Sequence, residues 1–405
     1  MIKRFVNLLL CLAAPAALVS ACQPAPDVTA ADDPALPPTS APGLTPTALP
    51  PREEGTRAPL WSFTTQGEVW SSPTVSDGTV YFGSDDHFLY AVDTTTAQLK
   101  WKFEASDIIR SRPAVADGTV YFSSDDGYLY ALNAKTGEQV WQFDMGRPMG
   151  ERKPIPTSWD YMQSSPAVAN GMVYAGTSNP NFYAVDAQTG QEKWHVEVGL
   201  YVRSTPAVVN GVVYFGDWLG SLYALDAQTG QARWTFNTYG SVVPSPTVVD
   251  GIIYIGSKFP CLYAIDAQTG EEKWCFSYPN GVPWVESSAA VADGTVFVGS
   301  SDWFRVNAVD AATGELKWYF PTKGDPWCSP AVADGVVYIG ATGGYFYALD
   351  AESGQELWKM RTGPSLKVND PVRFDGGVVS SPTVVDGVVY FGSLDGKLYA
   401  VSTAP

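Results

Sequence analysis

The sequence predicts an all-β chain: a single eight-bladed β-propeller over residues 60–402, with an N-terminal strand closing the last blade. Three observations predict it. A unit of about 40 residues recurs from Trp61 to the C-terminus. Each unit carries an Asp-Gly or Asn-Gly pair between short runs of Val, Ile, Tyr and Phe. The last unit lacks its final strand, and an orphan strand of that kind stands at the N-terminal end.

Each unit opens at a Ser-Pro-like element, at Pro73, Pro113, Pro166, Pro206, Pro246, Ala289, Pro330 and Pro382. Four residues later comes Asp77, Asp117, Asn170, Asn210, Asp250, Asp293, Asp334 or Asp386, each followed by Gly. Such pairs supply the positive φ angles of a two-residue hairpin turn. The flanking β-branched and aromatic residues favour strands. A third strand ends in Ala-x-Asp, as in Tyr223-Ala224-Leu225-Asp226, and a Thr-Gly turn leads to a closing Trp strand. Those tryptophans are Trp101, Trp141, Trp194, Trp234, Trp274, Trp318 and Trp358. One four-stranded sheet cannot cover both of its faces, so neighbouring units must stack, which is the propeller solution. Separate sandwiches would need Greek-key crossings for which these spacings leave no room. The eighth unit stops at Leu398-Tyr399-Ala400-Val401; Leu60-Trp61-Ser62-Phe63 is its missing strand, so Trp61 should complete the ring.

Residues 1–21 read as a lipoprotein signal peptide. Lys3 and Arg4 precede a largely apolar run from Phe5 to Leu18, and small residues precede Cys22. The run is too short to span a bilayer comfortably. Val19-Ser20-Ala21-Cys22 resembles the bacterial lipobox, which implies lipidation of Cys22 and an extracytoplasmic, membrane-anchored protein, on the periplasmic side of the outer membrane in a Gram-negative cell. Residues 22–59 are rich in proline and read as a disordered tether. At ~3 Å per residue it would reach on the order of 100 Å.

Composition excludes several functions. The 405 residues include 25 Lys+Arg against 42 Asp+Glu, a net charge of −17, which disfavours nucleic acid. Only 2 His are present, His87 and His195, in units too far apart to share a site. Asp125-Asp126-Gly127 lacks the further oxygen ligands of a calcium loop, so no metal site and no catalytic residue is expected. Cys261 and Cys275 fall on neighbouring strands within about one residue of register, so a cross-strand disulfide is one reading of the pair and two separate thiols the other. Cys328 should stay free and buried.

The motif Ala-x-Asp-Ala-x-Thr-Gly-x-x-x-Trp, at Ala184–Trp194, Ala224–Trp234 and Ala264–Trp274, resembles the tryptophan-docking motif of pyrroloquinoline-quinone (PQQ) repeat propellers. The resemblance implies that Trp61 and the seven repeat tryptophans pack between blades. It also implies one of two branches. Lipoproteins of the BamB type bind protein partners without a cofactor and support outer-membrane protein assembly. Quinoprotein dehydrogenases bind PQQ and calcium, and usually close a vicinal disulfide over the cofactor. The sequence has no Cys-Cys pair, so the first branch is the expectation. PQQ with calcium, held by Arg112 and Arg203, belongs to the alternative, and an envelope ligand sensor is a further one.

The two ends of the propeller differ. Second-to-third and fourth-to-first loops share one face, and length variation concentrates there. Proline spacing rises from 40 to 53 residues between Pro113 and Pro166 and to 52 between Pro330 and Pro382. The insertions bring Arg147, Arg152, Lys153, Trp159 and Tyr161, then Arg361, Lys367 and Arg373. Trp70, Trp284 and Trp327 precede inner strands, Trp218 and Trp303 lie in second-to-third loops, and Arg110 and Arg203 join them. Trp, Tyr and Arg are the residues enriched in binding hot spots. A face for an envelope protein or peptide is expected, on a monomeric propeller; tryptophans that only plug the channel mouth are the alternative.

Overall fold

The computed structural model describes residues 56–146, 164–258, 261–277, 285–300, 304–366 and 376–404. They form eight four-stranded antiparallel sheets. In the first blade, β2 (Thr74–Ser76) lies innermost, followed outward by β3 (Thr79–Gly83), β4 (Phe88–Asp93) and β5 (Leu99–Glu104). Six more blades repeat this order in sequence. The eighth takes Thr383–Val385, Val388–Ser393 and Lys397–Ser402 from the C-terminus and β1 (Trp61–Thr64) from the N-terminus. Trp61 stands opposite Ala400 in that pairing. The expected eight-bladed propeller is the observed fold.

Burial alternates as a stacked sheet requires. In the fourth blade the second strand, Val212–Gly216, is buried throughout and the third, Ser221–Asp226, is buried or half-buried, whereas the outer strand Ala232–Asn237 carries exposed and half-buried residues. Rings then meet across the blade interfaces: Phe182 stacks on Phe215 at 3.8 Å and Phe346 on Phe391 at 3.9 Å between centroids. The docking tryptophans tie each blade to the next. Trp194 Nε1 donates to the Ala227 carbonyl at 3.1 Å, and Trp234 Nε1 to that of Ala267 at 3.2 Å. The Asp of the same motif holds the turn that presents this carbonyl. Asp226 Oδ1 accepts from the amides of Gln228 (3.1 Å) and Thr229 (3.0 Å) and from the Thr229 hydroxyl (3.0 Å). A β-bulge after the Ala of the motif, as between Ala224 and Leu225, increases the local twist.

Two expectations need correction. Thr56 and Arg57, assigned to the tether, pack on the ring. Thr56 bridges in parallel to Lys359, and the Arg57 amide donates to the Lys359 carbonyl at 2.7 Å. The Arg57 guanidinium reaches the Ser402 carbonyl at 2.9 Å and lies 4.7 Å over the Trp358 ring. The physical reason is that the eighth unit ends before its Thr-Gly turn, so Arg57 covers the tryptophan that this turn would have covered. The second correction is the register of Cys261 and Cys275. Cys275 stands opposite Tyr263, and Cys261 opposite Ser277, an offset of two. The bulge between Ala264 and Ile265 adds the extra residue. Because strand side chains alternate, this shift brings both cysteines to one face of the sheet. The structure joins them, with Cα atoms 5.5 Å apart. Cys328 is buried and free.

Candidate functional site

The inner strands begin on the face that carries the variable loops, and the residues just before them ring the central channel. One cavity of about 260 Å³ opens there, lined among others by Trp70, Trp218, Trp327, Arg110, Arg112 and Arg203. Second-to-third and fourth-to-first loops therefore do meet on one face, and five of the aromatic and cationic residues expected to share it, Trp70, Trp218, Trp327, Arg110 and Arg203, line a single funnel.

Their surroundings differ. Trp218 lies between two cations: the Arg203 guanidinium is 4.3 Å and the Lys258 ammonium 4.4 Å from its ring centroid. Such stacking is worth about 0.5–2 kcal/mol and fixes the indole in the funnel wall. Lys258 also pairs with Glu286 at 3.2 Å. Trp327 is half-buried and packs beside Val379 and Leu394. Trp70 is a correction. It was expected as a surface contact, yet it is only 4% exposed. Its Nε1 donates to Glu68 at 2.9 Å, and Arg110 lies 4.5 Å over its ring. Arg110 in turn makes a bidentate pair with Asp85, at 2.8 and 2.6 Å, with side chains 5% and 7% exposed. Trp70 is thus a fixed wall, the plug alternative at that position, and removing either partner of the buried pair would strand a charge.

The funnel floor is a ring of hydroxyls. The residue before each repeat proline, or before Ala289, is Ser72, Arg112, Ser165, Thr205, Ser245, Ser288, Ser329 or Ser381. Around most of the ring, one amide donates to the hydroxyl of the next blade. Thr205 N reaches Ser245 Oγ at 2.9 Å, Ser245 N reaches Ser288 Oγ at 2.8 Å, and Ser381 N reaches Ser72 Oγ at 2.9 Å. Arg112 keeps the backbone half of the pattern, donating its amide to Ser165 Oγ at 2.8 Å. Its guanidinium reaches Thr74 Oγ1 of the first blade and Thr383 Oγ1 of the eighth, both at 3.2 Å. It is open to solvent but crowded by protein, and desolvation lowers its pKa; an arginine still stays charged.

At the rim, Leu219 is 60% and Tyr239 78% exposed. Their loops touch, since a Cβ on Gly220 would lie 2.7 Å from the Gly240 carbonyl oxygen. Sequence reasoning missed this pair, because single apolar residues in loops carry no pattern. It also missed the hydroxyl ring, whose signal was the residue type before each repeat proline and the lone Arg112 among Ser and Thr.

Other expected residues do not meet here. Arg152, Trp284, Trp303 and Arg373 lie outside the described residues, as do Arg147, Lys153, Trp159, Tyr161, Lys367 and Cys22. His195 pairs with Glu192 at 2.7 Å on an outer strand, and His87 sits in a second-to-third loop of the first blade. Among the described residues no group of three or more His, Cys, Asp or Glu could hold a metal ion. Asp126, one of the acidic pair read as a poor calcium loop, is spent on structure: it accepts from the Ser106 amide at 3.0 Å and the Tyr130 hydroxyl at 2.8 Å. Burial and then this carboxylate push the Tyr130 hydroxyl well above the ordinary tyrosine range.

Comparison with known proteins agrees with this geometry. A family model described as "Outer membrane protein assembly factor BamB" matches residues 52–160, 153–254 and 220–405. Curated BamB proteins are similar over a shorter stretch: 38% identity over 81 residues with that of Escherichia coli K12, and 35% over 75 residues with that of Xanthomonas campestris pv. campestris. These matches span about a fifth of each relative's length. Among solved structures, BamB from Moraxella catarrhalis superposes with a TM-score of 0.67 at 19% identity, covering 85% of this chain and 96% of that one. A europium-containing methanol dehydrogenase superposes with a TM-score of 0.64 at 15% identity, over 85% and 92% of the two chains. Identities this low show a shared fold and no more. The repeat motif, the eight closed blades and the family match along nearly the whole propeller together show that the chain belongs to the PQQ-repeat family described as outer membrane protein assembly factor BamB.

Proposed function

We propose that this chain is a non-catalytic scaffold, lipid-anchored through Cys22, whose variable face holds a protein partner in outer-membrane protein assembly. The observation that carries the reading is the gathering of Trp218, Arg203 and Lys258 in one funnel, with Leu219 and Tyr239 exposed at its rim, on a propeller of the BamB family. Aromatic rings flanked by cations bind and orient an extended or acidic protein segment, while the opposite face offers only short, self-satisfied turns. The two long fourth-to-first insertions carry further cations in their sequence, Arg152 and Arg373 among them. Affinity capture of intact envelope complexes tests the reading. Trp218→Ala, or Arg152→Glu with Arg373→Glu, should deplete a partner that Gln188→Ala and Gln228→Ala retain. Equal recovery with all variants would refute it.

A further inference from the structure

We propose that the floor of the central funnel is a binding subsite for a small oxyanion, a carboxylate or phosphate group, held by Arg112 and the surrounding ring of serine hydroxyls. This goes beyond the docking role and does not depend on which protein the face engages. The repeat itself reveals the site. Of eight equivalent positions, seven are Ser or Thr and one is Arg112. The fold does not need that arginine, because its structural duty, donating the backbone amide to the next blade, is done by Thr205 or Ser245 equally well.

Arg112 also differs from two other cations of the funnel. Arg110 is neutralised by Asp85, and Lys258 by Glu286. Among the described residues Arg112 has no carboxylate partner; its guanidinium meets only the hydroxyl oxygens of Thr74 and Thr383. Those threonines spend their own protons on the carbonyls of Pro113 and Pro73, both at 2.6 Å. A guanidinium presents five donors, so donors remain for a ligand.

The serines add more. Ser72, Ser165, Ser245, Ser329 and Ser381 line the cavity, and each hydroxyl accepts one backbone amide. A hydroxyl carries one proton and two lone pairs. None of these five donates to a protein acceptor among the described residues, so each has a proton to turn toward the channel. A cation that has no carboxylate partner among the described residues, sharing a cavity with hydroxyl donors and the indoles of Trp70 and Trp218, is complementary to negative oxygen. The cavity of about 260 Å³ lies just below the roughly 300–1,000 Å³ of drug-sized pockets. It suits a chain terminus, one acidic side chain or a small free anion.

Arg112→Ser is the natural test, because it restores the residue found at most other positions of the ring. The full-length protein and this variant would be titrated calorimetrically with glutarate, inorganic phosphate, the peptide Ac-Gly-Tyr-Ala with a free C-terminal carboxylate, and its C-terminal amide. At least one oxyanion probe should bind the wild type, weaken as salt is added, and lose roughly tenfold or more in affinity in Arg112→Ser, as a charge-assisted hydrogen bond implies. The melting temperature should hold, and Arg112→Lys should restore part of the binding. Preference for the peptide acid over its amide identifies a protein terminus as the source; binding of glutarate or phosphate alone identifies a free anion. No binding of any oxyanion at millimolar concentration, or equal binding by wild type and Arg112→Ser, overturns the proposal.

Discussion

Replacing Gly230 with Ala should destabilise the ring by several times more than replacing Gly211 with Ala. The two glycines have nearly the same backbone, φ +71° and +74°. That left-handed conformation costs an L-residue with a Cβ about 1–2 kcal/mol at either site. Their surroundings differ. A Cβ at Gly211 would meet nothing within 4 Å, whereas at Gly230 it would lie 2.8 Å from Cε3 and 2.9 Å from Cδ2 of Trp194. The indole cannot retreat cheaply, because its Nε1 is tied to the Ala227 carbonyl three residues before the same glycine. Overpacking of this kind adds about 1–3 kcal/mol. Gly211→Ala should therefore cost about 1 kcal/mol and Gly230→Ala about 3 kcal/mol. Urea unfolding followed by tryptophan fluorescence reads both, with the shift in midpoint as the measure. Equal midpoints for the two variants would mean that the blades are not locked through tryptophan–glycine contact.

Other expectations follow from the same contacts. Deleting residues 23–55 should leave the melting temperature unchanged, whereas deleting 56–66 removes β1, Trp61 and the Arg57 cover of Trp358, and should cause aggregation through the exposed edge; equal behaviour of the two deletions in a thermal scan with light scattering would contradict the closure. Cys328 occupies the place of Ser204 in its own blade: the Gly340 amide donates to its Sγ at 3.1 Å, as the Gly216 amide does to Ser204 Oγ at 2.8 Å. Burial pushes its thiol up to about 12, so it should resist alkylation in the native state, and Cys328→Ser should unfold within about 1 kcal/mol of wild type. Asp226, held by Arg233 and then by Thr229, and Asp186, held by Lys193 and then by Thr189, are lowered to about 2. Depressed carboxylates contribute above their unfolded value near 4, and that contribution is lost as pH falls from about 4 through 2. Melting temperatures of the Asp186→Asn, Asp226→Asn double variant should thus converge on wild type in that window, and a constant gap would contradict the assignment. Cys22→Ala should abolish lipid labelling and release the protein into soluble envelope fractions; retention on membranes would end the lipobox reading.

The blade count and the closure of the ring were legible because both are periodic. Eight Asp-Gly or Asn-Gly pairs and eight tryptophans repeat with nearly constant spacing, and the missing last strand has its counterpart at Trp61. What depends on contact between non-equivalent residues was not legible. Arg57 substitutes for a turn that the eighth unit never makes, which no local pattern announces. The bulge after Ala264 moved Cys261 and Cys275 from one residue of offset to two, because it adds an unpaired residue that the turn sequence alone does not announce. Of the aromatic and cationic residues assigned to one face, Trp70, Trp218, Trp327, Arg110 and Arg203 line one cavity, but their burial was not legible. Trp70 and Trp218 look alike in sequence, yet Glu68 and Arg110 enclose the first while Arg203 and Lys258 hold the second in the wall. Lys258 drew no notice beside so many tryptophans, since its value lies in where Trp218 places its ring.

The central claim, that the variable face holds a protein partner, is tested most directly by photo-cross-linking in living cells. A photoreactive residue placed at Leu219 or Tyr239, both exposed at the funnel rim, should give one discrete high-mass adduct. The same residue at Gln188 or Gln228, exposed on the opposite face, should give none. Adducts formed only from Gln188 and Gln228, with none from Leu219 or Tyr239, would contradict the account.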